Sequence, residues 1–196
     1  MSKEADLEYP VINPVADRWS PYGFSEEPVS TDDLRSLLEA ARWAPSSYNE
    51  QPWRYIVATR SNTQQYDAVL SCLAEPNQQW AKAAAVLMLG VISRQFEKNG
   101  KPNKAAEHDL GLASANLSAE ATQRGLFVHQ MIGIDPEKAR EVFAIPEGYE
   151  ALTGLAVGHR ANPDTLPDAL RERDEAPRQR KAQSEFVFGG KFGEAL

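Results

Sequence analysis

The sequence predicts a globular domain of the α/β or α+β class. Segments with helical spacing of apolar residues alternate with short runs rich in aromatic and β-branched residues, and no internal repeat is present. A chain of 196 residues is long enough for one domain with a sizeable core, or at most two small ones, and we expect one. The composition, 42% hydrophobic and 25% charged, is that of an ordinary folded protein.

Two helices and two strands are predicted in the first half of the chain. In order, they are a helix over Ser30–Ala41, a strand over Trp53–Ala58, a helix over Tyr66–Leu73 and a strand over Ala83–Ile92. Ser30 or Thr31 can cap the first helix, and Pro45 ends it. Aromatic and β-branched residues fill the first strand. The second strand is an apolar run about half as long as the roughly 20 residues of a membrane-spanning helix, so we expect it to be buried in the core.

The second half of the chain predicts two more helices and a third strand. After an exposed connection come a helix over Leu110–Ala121, a loop at His129–Gly133, a helix from Pro136 to Phe143 and a strand over Ala151–His159. Small residues on one side of the first helix allow close packing against another helix. Asp135 can cap the second helix, because its side chain can accept a hydrogen bond from the first turn. The charged segment beyond Asn162 lacks a core of its own, so we expect it to lie on another surface.

Charge and cysteine content make several classes of function improbable. The net charge is -7 and the pI about 5.1, so the field of the protein repels nucleic acid and anionic membranes. Cys72 is the only cysteine, which excludes an internal disulfide, and the three histidines lack the spacing of zinc ligands. The opening residues MSKEADLEYP lack the apolar core of a signal peptide. We therefore expect a cytoplasmic protein without a metal site.

Four separated motifs carry a resemblance to a known family. They are DRWSPYGFS at residues 17–25, ARWAPSSYNEQPWRYIV at 41–57, GLFVHQMIGID at 125–135 and RQRKAQSEFVF at 178–188. With these motifs, the chain resembles the nitroreductase family of FMN-dependent oxidoreductases from about Asp17 to Phe188. Four motifs in the right order are far more specific than any one alone.

The resemblance implies an α+β fold with a central mixed or antiparallel sheet flanked by helices. It divides the chain into an N-terminal extension (residues 1–16) and an FMN-binding domain (residues 17–196). The C-terminal tail (residues 163–196) would pack on the partner in an intertwined homodimer, with FMN at the interface between subunits. NADH or NADPH would deliver hydride to the flavin N5 and leave before a nitroaromatic, quinone or related acceptor enters, which is a ping-pong mechanism.

Arginines suit the FMN phosphate because the guanidinium fork matches oxyanion geometry and keeps its charge. Arg178 and Arg180 are two residues apart in an extended segment, can point to the same side, and match the family's phosphate ligands. Taken alone, this basic segment is also explained as a solvated charged tail. Arg18 and Ser20 match the opening motif, which approaches the phosphate, the ribityl chain and the N1 and O2 edge of the ring.

Trp19 and Tyr22 occupy positions where the family usually has further basic residues. Both are candidate FMN contacts, and for Trp19 the alternatives are packing beside the flavin ring and an ordinary place in the core. Because cations beside the ring stabilise the anionic reduced flavin, the sequence leaves the redox potential open.

The polar loop SSYN, at residues 46–49, suits the flavin ring and ribityl chain. Asn49 offers a donor and an acceptor on one amide, as the N3 and O4 edge of the ring requires. Ser46 and Ser47 can contact the ribityl and phosphate end of the cofactor, and Gln51 is expected to support the loop. A capped turn without a ligand also explains this stretch when it is considered by itself.

The segment HQMIG, at residues 129–133, matches the place where the family puts backbone groups near flavin N5. The candidate contacts are Gln130, Met131 and Gly133. A glycine permits close approach. Ile132 stands where some relatives carry glutamate, so carboxylate-assisted proton delivery is not expected. His129 is a candidate acid, with a structural role as its alternative.

Two other functions are compatible with the same motifs. One is a specialised member of the superfamily, such as a flavin-using dehalogenase or enone reductase. The other is a flavin-binding carrier or sensor without steady turnover. Neither the acceptor nor the choice between NADH and NADPH follows from the sequence, because the region around Gln95–Lys104 that would select the acceptor is variable.

Overall fold

The computed structural model describes residues 3–196 and has the predicted α+β architecture. Its helices are α1 (Asn13–Asp17), α2 (Thr31–Arg42), α3 (Thr63–Ser71), α4 (Glu75–Ala81), α5 (Ala106–Gln123), α6 (Pro136–Phe143) and α7 (Asp168–Glu175). Its strands are β1 (Trp53–Thr59), β2 (Val86–Ser93), β3 (Phe127–Met131) and β4 (Tyr149–Gly158). Short 3-10 turns lie at Ser47–Asn49, Pro163–Thr165 and Gln183–Glu185.

The four strands form one antiparallel sheet in the order β1-β2-β4-β3. Every residue of β2 is buried because both faces of the sheet are covered. Leu87 and Leu89 point into one hydrophobic cluster, while Val86 and Met88 point into the other. Alternate residues of a strand face opposite sides, so this apolar strand supplies both halves of the core.

Helices cover the two faces of the sheet in separate groups. On one side α2 and α5 pack against each other and against the sheet, with Leu37, Ala113 and Leu117 fully buried between them. On the other side α3, α4 and α6 contribute residues such as Val69 and Trp80 to the second cluster. The close contact between α2 and α5 agrees with the small residues predicted for the buried side of α5.

Most predicted helices and strands are confirmed. One segment that was predicted as a loop is partly a strand, and three short helices were not predicted. Ser30 caps α2 by accepting a hydrogen bond from the backbone N–H of Asp33 at 3.0 Å, and the helix ends at Arg42, before Pro45. The segment predicted as a loop at His129–Gly133 instead begins with the last residues of β3. Its strand geometry depends on pairing with β4, which local sequence does not reveal. The short helices α1, α4 and α7 were not expected.

The two ends of the described chain lie against each other. The backbone N–H of Gln183 donates to the Glu8 carboxylate at 3.1 Å, and Arg178 donates to the carbonyl of Ala16 at 2.6 Å. Arg178 and Gln183 of the C-terminal tail therefore contact their own chain, and the packing of the tail on a partner stays a prediction. Residues 1 and 2 of the N-terminal extension lie outside the described part. Within residues 3–196, no helix is both long and apolar enough to cross a bilayer.

Candidate functional site

Three arginines line a single cavity of about 500 Å³. Arg18 comes from the segment after α1, whereas Arg178 and Arg180 come from the C-terminal tail. Asp6 is the one carboxylate among the lining residues, so the cavity carries a net positive charge. The fold thus brings together the first and the last of the predicted motifs at a place that attracts an anion.

Arg18 is half-buried and close to the other two arginines. Its Nη1 donates to Ser20 Oγ at 3.2 Å, and no carboxylate among residues 3–196 forms an ion pair with it. Burial lowers the pKa of Arg18, and the positive charges of Arg180 and Arg178 lower it further. Both effects disfavour the cation and would be relieved by a bound anion.

Arg178 is tied to backbone carbonyl groups. Its Nη1 donates to Lys3 O at 2.9 Å and to Ala16 O at 2.6 Å, and its Nη2 donates to Arg18 O at 3.0 Å. Three of the five guanidinium N–H donors are therefore used within the chain. Arg180 is exposed and, within residues 3–196, its side chain donates only to the neighbouring carbonyl of Gln179, at 2.7 Å. Arg18 and Arg180 consequently have more donors available to an anion than Arg178 has.

Trp19 and Tyr22 are packed against other aromatic side chains. The Trp19 ring is 7% exposed and meets Phe127 edge-on with 5.7 Å between centroids. The Tyr22 ring lies 4.7 Å from that of His129 in the same kind of arrangement. For Trp19 this geometry agrees with the alternative of an ordinary core residue.

The polar loop at residues 46–51 holds a strained backbone. Four non-glycine residues among residues 3–196 have positive φ, and three of them are Tyr48 at 54°, Asn49 at 58° and Gln51 at 51°. Ser46 Oγ accepts a hydrogen bond from Gln51 N at 3.0 Å, and Gln51 Nε2 donates to Asn49 Oδ1 at 3.1 Å. Such strain persists only where other contacts hold it, and it is concentrated at functional sites. Through these two hydrogen bonds Gln51 supports the loop, as was predicted.

Asp109 is a site residue that the sequence did not reveal. Its side chain lies on α5, is buried, and accepts a hydrogen bond from Ser47 N at 3.1 Å, which ties the strained loop to the helix. The two residues are 62 positions apart, so no local pattern joins them. The sequence does contain one sign of this role. Asp109 lies four positions before Ala113, and it is therefore an acidic residue on the apolar side of the helix.

The end of β3 places Gln130, Met131 and Gly133 in fixed positions. Gln130 Nε2 donates to Ser118 Oγ on α5 at 3.1 Å, and the carbonyl of Met131 accepts from a threonine hydroxyl of β4 at 2.9 Å. A Cβ atom at Gly133 would lie 2.6 Å from Asn77 Nδ2. A side chain at residue 133 would therefore require Asn77, on α4, to move, and the approach of Gly133 to the flavin stays a prediction.

His129 connects β3 to the segment after α1. Its Nδ1 lies 2.8 Å from the carbonyl of Pro21, which can only accept, so Nδ1 carries the hydrogen. The ring also lies 4.3 Å from the Trp80 ring. Burial lowers the pKa of His129, which favours the neutral form. These contacts agree with the structural role given above as the alternative to catalysis.

Helix α5 borders all three parts of the candidate site. It binds the strained loop through Asp109 and the end of β3 through Ser118, and it packs against α1, which precedes Arg18. In the described part of the chain, no group of three or more His, Cys, Asp or Glu side chains could hold a metal ion.

Comparison with known sequences identifies the family. The profile of the Nitroreductase family matches residues 15–159, which is most of the chain. The chain belongs to the nitroreductase family. A solved structure described as an oxidoreductase containing FMN is 33% identical, with a TM-score of 0.91, and the similarity covers 99% of this chain and 98% of the other.

Two sequence relatives extend the comparison of this nitroreductase-family chain. An uncharacterized 15.4 kDa protein of Mycolicibacterium smegmatis is 32% identical over 149 residues, which are 73% of this chain and 99% of the relative. The major NAD(P)H-flavin oxidoreductase of Aliivibrio fischeri is 24% identical, with coverage of 92% and 99%. The family profile ends at residue 159, so Arg178, Arg180 and α7 lie outside the matched segment.

The lowered pKa of His129 predicts a pH dependence of stability. The folded state holds the proton less tightly than the unfolded chain, where histidine titrates near 6.5, so stability falls as the pH drops through about 6.5. In the wild type, the free energy of unfolding should fall between about pH 7.5 and about pH 5.5. This loss should be smaller in His129→Gln, because glutamine does not titrate. Urea denaturation at fixed protein concentration measures this loss.

His108→Gln is the matched control for this measurement. The His108 side chain is 72% exposed and its Nδ1 lies 3.3 Å from Asp109 Oδ1, so this variant shows how far removal of a histidine outside the core changes the loss. An equal loss in the wild type and in His129→Gln would show that burial of His129 does not contribute to the pH dependence.

Proposed function

We propose that this nitroreductase-family protein is an FMN-dependent oxidoreductase that takes hydride from NADH or NADPH. Its acceptors would be nitroaromatics, quinones or related electrophiles, reduced in a ping-pong mechanism. The observation that carries this proposal is the cavity lined by Arg18, Arg178 and Arg180, a concentration of positive charge in a protein with a net charge of -7. The family relatives named as flavin oxidoreductases support the choice of cofactor.

The residues fit the parts of FMN. The guanidinium groups of Arg18 and Arg180 line the cavity and match the charge and geometry of a phosphate. The Asn49 amide is exposed at the tip of the strained loop and has the donor and acceptor that the ring edge requires. Ser46 and Ser47 are half-buried in the same loop, where hydroxyl and backbone groups suit the ribityl chain.

Bound FMN supplies the chemistry of accepting hydride from a nicotinamide and passing electrons to an acceptor. The chain's own residues bind and orient it. Arg18 and Arg180 would hold the phosphate end, Asn49 would orient the ring edge, and backbone groups of Gln130–Gly133 would approach the ring. Neutral His129 carries its hydrogen on Nδ1, toward the carbonyl of Pro21, so its Nε2 has no proton to deliver while the ring is neutral.

The nicotinamide and the acceptor use one pocket in turn. The sequence has no glycine-rich dinucleotide loop of the Rossmann kind, so a separate nicotinamide domain is not expected. Because the two substrates would occupy the same pocket, the first must leave before the second binds, which is a ping-pong mechanism. A dehalogenase or an enone reductase would share this site and differ only in the acceptor, whereas a flavin carrier would lack sustained turnover.

The protein should be a homodimer. Phe186, Phe192 and Leu196 of the C-terminal tail are exposed in the single chain, and such apolar side chains are suited to cover a partner. Light scattering should give about twice the chain mass of 21.7 kDa. Truncation after Ala176 should weaken both assembly and flavin retention, because it removes residues 177–196 of the tail, including two cavity arginines. A monomer that still binds FMN tightly would contradict the shared site.

Purified protein should be yellow and should release roughly one FMN per chain on denaturation, since each chain supplies one phosphate cavity. With menadione or a nitrofuran as acceptor, NADH or NADPH should be consumed continuously. A carrier or sensor would bleach once and then stop. A colourless protein that fails to take up added FMN would exclude the proposed function.

Arg180→Ala should weaken FMN binding by roughly 10- to 150-fold, because a hydrogen bond to a charged group contributes about 1.5–3 kcal/mol. Riboflavin, which lacks the phosphate, should bind with nearly unchanged affinity. Arg180→Lys should restore part of the FMN affinity, since a point charge cannot reproduce a bidentate fork. Isothermal titration of both ligands measures the two affinities.

Arg171→Ala is the matched control for Arg180→Ala. It removes a tail arginine that is paired with Asp168 and does not line the cavity, so both affinities should be unchanged. Equal weakening of FMN and riboflavin by Arg180→Ala would show that Arg180 acts through packing or solubility and not through the phosphate.

A further inference from the structure

Asp174, on α7, is a buried carboxylate that binds backbone groups of a distant segment. Its side chain is 1% exposed, its Oδ1 accepts a hydrogen bond from Tyr22 N at 2.7 Å, and its Oδ2 accepts one from Gly23 N at 3.0 Å. Two hydrogen bonds from successive N–H groups satisfy both carboxylate oxygens. Charge-assisted bonds of this kind are about twice as strong as neutral ones.

The segment bound by Asp174 is built for close contact with the C-terminal tail. A Cβ atom at Gly23 would lie 2.4 Å from Leu166 Cδ1 and 3.1 Å from Asp174 Oδ2. Residue 23 therefore accepts only a hydrogen atom unless neighbouring side chains move. The absence of a side chain lets the carboxylate reach the backbone.

A second contact from the tail holds the beginning of the same segment. Arg178 lies four residues after Asp174 and donates to the carbonyl groups of Ala16 and Arg18, at 2.6 and 3.0 Å. The stretch from Ala16 to Gly23 is thus fixed at its start by a cation that binds carbonyls and at its end by an anion that binds N–H groups. Arg18 lies between the two contacts.

We propose that Asp174 is a positioning residue for FMN binding, which acts by holding the segment that carries Arg18 beside the phosphate cavity. This inference rests on the proposed function. A segment fixed during folding does not have to be ordered when the ligand binds, so the contact raises affinity without touching the ligand. Asp174 is absent from the residues that line the arginine cavity.

Packing alone does not account for a carboxylate at this position. Burial of a charge is costly unless it is fully hydrogen-bonded, and an apolar side chain fills buried space at lower cost. What the carboxylate adds is a defined geometry for two backbone N–H groups. That geometry fixes the direction of the chain just after Arg18, Trp19 and Ser20.

The test compares FMN and riboflavin affinities in full-length Asp174→Asn. Asparagine has nearly the same shape, but its NH₂ group faces a backbone N–H and one of the two hydrogen bonds is lost. FMN affinity should fall by up to roughly tenfold, because the ordering of the Arg18 segment that the lost bond supplied must then be provided by the binding of FMN. Riboflavin affinity should change by less than about threefold, because Arg18 is placed to act on the phosphate. Glu172→Gln, on the exposed side of the same helix, should change neither affinity.

A double-mutant cycle with Arg18→Ala separates positioning from general stability. If Asp174 acts through Arg18, then Asp174→Asn should have little further effect on FMN affinity once Arg18 is alanine. If the two residues act independently, the fold-changes in FMN affinity of the single variants should multiply in the double variant. Multiplied effects, an unchanged FMN affinity in Asp174→Asn, or equal loss of both ligands would each overturn the inference.

Gly23→Ala is a second variant, used if Asp174→Asn does not fold. It keeps the charge but places a Cβ atom 2.4 Å from Leu166 Cδ1 and 3.1 Å from Asp174 Oδ2, so both side chains must shift, and a smaller loss confined to FMN supports the inference. An equal loss of both ligands, or none, overturns it. If wild type fails to bind FMN, the proposed function fails and this inference with it. If wild type binds FMN and Arg18→Ala weakens that binding, but Asp174→Asn does not, only the positioning role is wrong.

Discussion

The packing of α5 across the buried strand β2 is the contact on which the rest of the structure depends. Gly90 in β2 leaves room for Leu110 of α5, whose Cδ1 would lie 3.3 Å from a Cβ atom at that position. Hydrophobic burial fixes the helix against the sheet, and the helix then offers polar groups at defined places. Asp109 and Ser118 are two of them, and each binds a different part of the candidate site. The positions of both parts of the site therefore depend on the position of this helix.

Charge is distributed unevenly over this molecule. The whole chain is acidic, which on its own would repel a phosphate, but Arg18, Arg178 and Arg180 converge on one cavity. At physiological ionic strength the screening length is about 8 Å. The nearby arginines therefore contribute more to the electrostatic potential inside the cavity than distant carboxylates do. The acidic remainder keeps polyanions away while a small phosphate ester can still bind.

Local patterns in the sequence predicted the main elements well. The Ser30 cap, the buried strand β2 and the small residues of α5 each have causes within a few neighbouring positions. The short edge strand β3 has no such cause, because its conformation depends on pairing with β4. The same holds for Asp109 and Asp174, which bind backbone groups 62 and 152 residues away. The contact between Gly133 and Asn77 of α4 was not predicted either.

The contacts between the two ends of the chain bear on how the protein is synthesised. All four strands of the sheet precede residue 159, whereas Asp174 and Arg178, which fix the Arg18 segment, are translated after them. Domains begin to fold from the N-terminus during translation. The strands can therefore begin to pair on the nascent chain before the residues that complete the anion cavity have been added. A chain truncated after β4 would carry the strands of the sheet and an unfinished binding site.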